Sequence, residues 1–312
     1  MLKDWLTEIR VKSLLLAFLN CVLGCAIGFY YGRVNCFTIT TASLIVITGI
    51  LLQILSNFAD DYGDACKNAD GPNRLGPIRA VMIGSISLTS LRKSMALVTT
   101  LATITGCVAL VMAVGYDLQV LAYFTFLGVA AVLAAIFYTI GLAYGYQGFG
   151  DLAVFIFFGL AAILGSQMLI LGASRSGIDL FPDSYMLAVA VGIHSVMVLH
   201  IANMRDITED RLNGKKTIAA RLGVHLSAVY LLVLYIISAL LSLAACATSH
   251  QLWECIIIAF ALLPLFATTM RVFIHKHNPK NVASERKYAL IGCAIHNLAW
   301  TVVLILDFWV YY

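Results

Sequence analysis

Charge is scarce in this chain. Lys, Arg, Asp and Glu make up 12% of its 312 residues, about half the share usual in a soluble domain. Against 61% apolar residues and a mean hydropathy of +0.92, that shortage excludes an ordinary water-soluble fold. Glycine-rich phosphate loops are missing too. Neither G-x-x-x-x-G-K-S/T nor G-x-G-x-x-G occurs, so a soluble nucleotide is not indicated. The eight cysteines form no C-x-x-C pair, and seven lie within or at the ends of apolar runs. Cys21 and Cys25 share one helical face, where small apolar packing explains them.

What the chain does have is apolar runs of about twenty residues, the length that crosses roughly 30 Å of hydrocarbon. Nine are expected, at 13–32, 37–57, 94–115, 118–139, 151–173, 185–203, 224–248, 252–274 and 288–311. The reading is an all-α polytopic membrane protein with one transmembrane domain over 1–312. With the N-terminus in the cytoplasm, eighteen Lys and Arg fall on the inner side, and only Arg33 and Arg175 on the outer. That bias sets the orientation, and the odd number of spans puts the C-terminus outside. The net charge of +4 is then mostly a topology signal and needs no nucleic-acid partner.

Polar residues concentrate in two cytoplasmic stretches. One reads Asn57-Phe-Ala-Asp60-Asp61-Tyr62-Gly-Asp64, the other Asn203-Met-Arg205-Asp206-Ile-Thr-Glu209-Asp210. At 100° per residue, Asn57, Asp61 and Asp64 fall within roughly a 60° arc of a helix, and so do Asn203, Asp206 and Asp210. A carboxylate pushed toward hydrocarbon costs about 2.5–3.5 kcal/mol on insertion scales, so acids placed there usually serve a function. Crowded acids take up protons unless a cation joins them. A hard divalent ion fits, because Mg²⁺ prefers carboxylate oxygen and commonly bridges a substrate phosphate. Lys67, Arg74 and Arg79 follow the first stretch, and Arg205, Arg211, Lys215, Lys216 and Arg221 surround the second. Acids interleaved with bases suit a metal-bound polyanion. An ion-coupled transporter is the rival class, but its acids belong near the midplane instead of at one end.

The phrases "SNFADDYGDACKNADGPNRLGPIRA", "FYTIGLAYGYQGFGDLAVFIFFG" and "NMRDITEDRLNGKKTIAARLG" resemble the UbiA superfamily of intramembrane aromatic prenyltransferases. The "GPIR" and "YGYQGFGD" words point to the branch that uses 1,4-dihydroxy-2-naphthoate. The resemblance implies nine helices around a central cavity, open to the cytoplasmic side and laterally to lipid. It implies two Mg²⁺ ions bridging a polyprenyl diphosphate, held by Asn57, Asp61, Asp64, Asp206 and Asp210. Asp61, Asp206, Asp210 and Arg79 would be catalytic. Asn57, Asn203, Lys67, Arg74 and Arg205 would bind substrate, with Asp60 and Asp70 close enough to assist. Tyr62, Tyr138, Tyr144 and Phe149 would wall the site. The implied partners are polyprenyl diphosphate, dihydroxynaphthoate and membrane lipid, in a bacterial inner membrane with the site facing the cytoplasm. A related acceptor such as 4-hydroxybenzoate is the near alternative.

The chain departs from the family pattern in three places. Asp64 follows Asp61 by three residues where four is usual. Leu142 stands four after Tyr138, where relatives often carry a base. The N-terminal phrase "RVKSLLLA" lacks the family's proline, which makes Arg10 and Lys12 weak site candidates.

Overall fold

The computed structural model describes residues 2–67, 79–115, 117–249 and 251–311. Arg74 and Asp70 lie outside them. Among the described residues nine helices are long and apolar enough to cross a membrane, as the apolar runs predict. In chain order the helices are α1 (Leu2–Ile9), α2 (Val11–Tyr31), α3 (Cys36–Lys67), α4 (Leu88–Val114) and α5 (Leu118–Phe137). Then come α6 (Gly150–Val154), a π-helical stretch Phe155–Gly165 and α7 (Ser166–Ala173), which together form the fifth span, Gly150–Ala173. The rest are α8 (Pro182–Arg205), α9 (Ile207–Leu212), α10 (Ile218–Ser249), α11 (Leu252–His275) and α12 (Pro279–Tyr311).

Several helices overrun their apolar cores, and this positions the site. α3 continues ten residues past the expected end at 57, so Asp60, Asp61 and Asp64 ride on the helix itself. α12 begins at Pro279, nine residues before the apolar run at 288. The second motif is less regular than its spacing suggests. α8 ends at Arg205, Asp206 has φ −99° and ψ 9°, and a separate short helix carries Asp210. The Arg205 guanidinium grips the Asp206 carboxylate, with Nε 2.6 Å from Oδ1.

Close backbone approach holds the fifth span in place. A Cβ on Gly159 would stand 2.5 Å from Gly192 Cα of α8, so the two helices touch through hydrogen atoms alone. Mid-bundle, Asn20 of α2 donates to Phe158 O at 2.8 Å and to Ser195 Oγ at 3.2 Å, and accepts from Asn297 Nδ2 at 2.8 Å. These bonds tie α2, the π-helical stretch, α8 and α12 together where no water competes.

α5 packs on α3 and α4 and buries no residue fully. Its remaining flank looks across a cavity of ≈ 1070 Å³ toward the fifth span, from Asp60 and Asp210 at one end to Ile178 and Leu180 at the other. The walls along α5 and the fifth span, such as Phe124, Val132, Phe157 and Leu160, are apolar. The polar end is the one the Lys/Arg bias assigns to the cytoplasm.

Candidate active site

Four segments build the polar end. The last turns of α3 supply Asn57, Asp60, Asp61 and Asp64; the chain just before α2 supplies Arg10; α8 and α9 supply Asn203, Arg205, Asp206 and Asp210; the turn after α5 supplies Tyr138, Tyr144 and Tyr146. All of these except Asp61 line the cavity.

Asp61 sits behind the lining. Its Oδ1 meets the Arg10 guanidinium and Arg79 Nε, the latter at 3.0 Å. Behind it the carboxyl of Glu8, as deeply buried as Asp61, is in hydrogen-bonding contact with the Asp61 carboxyl. Arg10 also reaches Asp60 Oδ2 at 2.6 Å. The backbone bends to allow this, since Arg10 takes the left-handed φ of 55° where α1 turns into α2, a conformation that non-glycine residues hold only under constraint. Burial works against the Arg10 charge, but Asp61 and Asp60 outweigh it and hold its pKa above the ordinary value. Arg10, a weak candidate on sequence grounds, is therefore central to the first motif. Asn57 is committed differently: its Nδ2 donates to Ile9 O at 2.8 Å, and its Oδ1 accepts from Gln53 at 2.9 Å.

Asp64 points to another group of partners. Tyr146 Oη donates to its Oδ1, and Lys215 Nζ lies 3.3 Å from the same oxygen. The Tyr146 ring is flanked by Lys67 Nζ at 4.3 Å and Lys215 Nζ at 4.4 Å, contacts in which the ring face stabilises each cation. Burial and the Asp64 charge raise the Tyr146 pKa, so the phenol stays a donor. Lys67 also donates to Thr139 O at 2.8 Å. The site thus has two lysines beside this turn, while Leu142, where relatives often carry a base, is 70% exposed and faces away.

The turn is docked by glycines. A Cβ at Gly63 would fall 2.5 Å from Thr139 Oγ1, and one at Gly148 would fall 2.7 Å from Lys216 O. Lys216 N donates to Tyr146 O at 2.6 Å. The "YGYQGFGD" turn and the loop after the second motif therefore bind each other by backbone. This joins the two halves of the site.

Asp210 accepts from Thr217 Oγ1 at 3.1 Å. Burial pushes its carboxyl up to about 6; Lys215 and Thr217 oppose the rise, and the charges of Asp206 and Asp64 add to it. Among the described residues no three acids, histidines or cysteines are gathered tightly enough to hold a metal ion; several of the acid oxygens are engaged by Arg10, Arg79, Arg205 and Lys215. The donors nonetheless fit Mg²⁺. They are hard carboxylate oxygens, and Asp60, Asp64, Asp206 and Asp210 all line the same cavity.

Of the expected wall residues, Tyr138 and Tyr144 line the cavity and meet edge to face at 5.4 Å. Burial lifts the Tyr144 phenol to about 12. Tyr62 packs instead into the cluster of Leu55, Phe58 and Leu91, and Phe149 is exposed. Sequence reasoning missed Tyr146 as a site residue. The doubled "YGYQG" word held it, but nothing local distinguishes Tyr146 from Tyr144.

A family model described as the UbiA prenyltransferase family matches residues 21–292. The chain belongs to the UbiA prenyltransferase family. It is 34% identical to the 1,4-dihydroxy-2-naphthoate octaprenyltransferase of Escherichia coli, over 98% of this chain and 96% of that one. Among solved structures, a UbiA homolog from Aeropyrum pernix superposes with a TM-score of 0.73 at 13% identity, over 96% of this chain and 98% of that one. A UbiA homolog from Archaeoglobus fulgidus bound to DMAPP and Mg²⁺ gives 0.59 at 16%, over 93% and 99%. Both structural likenesses concern the fold. As a UbiA family member with nine apolar helices, the chain is an integral membrane protein.

Proposed function

We propose that this UbiA protein moves a polyprenyl group from polyprenyl diphosphate to 1,4-dihydroxy-2-naphthoate, releasing CO₂ and diphosphate and giving demethylmenaquinol. The observation that carries it is the facing of two acid motifs, laced with Arg and Lys, at one mouth of a long apolar cavity. The Escherichia coli relative supports the acceptor. The site faces the cytoplasm of a bacterial inner membrane, with the C-terminus outside.

Asp61, Asp64, Asp206 and Asp210, with Asn57 and Asp60 beside them, would hold Mg²⁺, two ions in this reading. Bound there, Mg²⁺ would supply positive charge to offset what grows on the departing diphosphate. Arg79, Arg10 and Arg205, which stand at this mouth paired with carboxylates, would bind diphosphate oxygens from one flank. Lys67, Lys215 and Tyr146 would grip it from the other flank. The C1–O bond of the prenyl ester breaks and leaves an allylic cation. The apolar walls keep water from it until an electron-rich ring carbon of the acceptor attacks. The ring then sheds its carboxylate as CO₂. Atoms and charge balance with no oxidant or outside proton. The tail lies along α5 and the fifth span, toward lipid.

The test is protein purified in detergent with Mg²⁺, polyprenyl diphosphate and a panel of aromatic acids. Prenylation of dihydroxynaphthoate is expected. Prenylation of 4-hydroxybenzoate alone would overturn the acceptor.

A further inference from the structure

α12 carries Val282, Arg286, Ala289 and Cys293 on one helical face, at spacings of four, three and four. Val282, Ala289 and Cys293 are at most 1% exposed and belong to a core shared with α8 and α10. Arg286, half-buried, follows the same stripe and lines the cavity. Three other arginines stand at this mouth, and each has a carboxylate: Arg10 on Asp60 and Asp61, Arg79 on Asp61, Arg205 on Asp206. Arg286 has none. Among the described residues it joins no ion pair, and its Nε is buried without a hydrogen-bond partner. Of the charges that bear on it most, those of Arg10, Arg205 and Arg79 share its sign and that of Asp206 opposes it.

A guanidinium taken from water and placed among other cations is unfavourable unless an anion joins it. The diphosphate already has a flank of its own at Lys67, Lys215 and Tyr146, on the α3 and α9 side. Arg286 stands on α12 instead. One turn deeper, Leu290 lines the cavity with Leu16 of α2 and Val198 and Ala202 of α8. A planar cationic fork above an apolar slot suits a flat ring bearing one carboxylate.

We propose that Arg286 binds the carboxylate of the aromatic acceptor, seats its ring against Leu16, Val198 and Leu290, and so selects aromatic acids over neutral phenols. This rests on the reading above only in taking the acceptor to be an aromatic acid. Arg286 fixes where the ring lies relative to the allylic carbon.

The probes are 1-hydroxy-2-naphthoate, an acceptor analogue, and 1-naphthol, its neutral counterpart. Binding to detergent-purified protein is measured calorimetrically without prenyl diphosphate. Arg286→Gln is expected to weaken 1-hydroxy-2-naphthoate 10- to 100-fold and leave 1-naphthol unchanged, with Arg286→Lys in between. In turnover, the KM for the acceptor should rise by a similar factor while the KM for polyprenyl diphosphate stays within twofold. A raised KM for the diphosphate with unchanged acceptor binding would overturn the proposal, and so would no change in either. Should Arg286→Gln fail to fold, Leu290→Trp serves: it fills the slot, leaves the cation, and should weaken both naphthalene probes without touching the diphosphate KM. Equal affinity of the Trp variant for both probes and wild type would overturn the slot. A wild type that prenylates only 4-hydroxybenzoate overturns the naphthoate acceptor, and the same KM comparison on that acid still decides Arg286.

Discussion

Gly148→Ala perturbs the junction of the two motifs without touching a charged group. Gly148 has φ +95°, a region that costs a β-carbon residue about 1–2 kcal/mol. The added methyl would also lie 2.7 Å from Lys216 O, where ordinary contact begins near 3.4 Å. Because that neighbour is backbone, the loop must move by several tenths of an ångström. The movement strains the hydrogen bond from Lys216 N to Tyr146 O, 2.6 Å long, worth about 1 kcal/mol. The docked arrangement then loses about 2–3 kcal/mol against the undocked one, or roughly 30- to 150-fold in population. Tyr146, Lys67 and Lys215 move with it, so kcat/KM for polyprenyl diphosphate should fall by about that factor while the bundle stays folded. Steady-state kinetics beside a thermal melt in detergent reads both. Gly148→Asn separates the causes: asparagine tolerates positive φ but still carries the Cβ, so it should keep only the steric share, about 1 kcal/mol or roughly fivefold, and be less impaired than alanine. An asparagine variant with wild-type activity would refute the steric argument, and an alanine variant with full activity would refute the docking of the two loops.

Asp61→Ala or Asp206→Ala should abolish turnover while the protein still inserts and melts as one species, and EDTA should do the same reversibly; full activity in any of the three would sink the metal–diphosphate site. Lys215→Met and Lys67→Met each remove a cation from the Tyr146 ring and from reach of the diphosphate, worth about 1–2 kcal/mol, so the KM for polyprenyl diphosphate should rise roughly 5- to 30-fold with the acceptor KM unchanged. Gly159→Ala forces the fifth span off α8, where Gly192 Cα would be 2.5 Å from the new Cβ, and overpacking of this kind costs about 1–3 kcal/mol; a melting temperature equal to wild type would show that the helices do not meet there.

The parts of this protein that were legible in the sequence are those that depend on local periodicity. Runs of twenty apolar residues have one solution in a bilayer, a helix that satisfies its own backbone, so nine spans were expected and nine occur among the described residues. Acids at helical spacing beyond such a run also declare themselves, and α3 indeed carries Asp61 and Asp64 on its continuation. The second triplet shows the limit of that argument, because the helix breaks at Asp206 and the helical spacing of the three residues carries no mark of the break. Tyr146 and Asp64 are 82 residues apart, a pairing set by how the turn after α5 folds back, which no periodicity encodes. Arg286 was hidden for a different reason. In a membrane protein every cytoplasmic Lys and Arg is already explained by orientation, so a base that does further work looks like all the others. What distinguishes it is its place on the stripe Val282, Arg286, Ala289, Cys293, and that stripe becomes visible only once α12 is known to start at Pro279 and not where the apolar run begins. In the function proposed, one set of cations at one mouth serves both orientation and substrate binding. In Arg286 the two come apart at one atom: its Nε is buried without a hydrogen-bond partner and the side chain lines the cavity, a placement that orientation alone does not require.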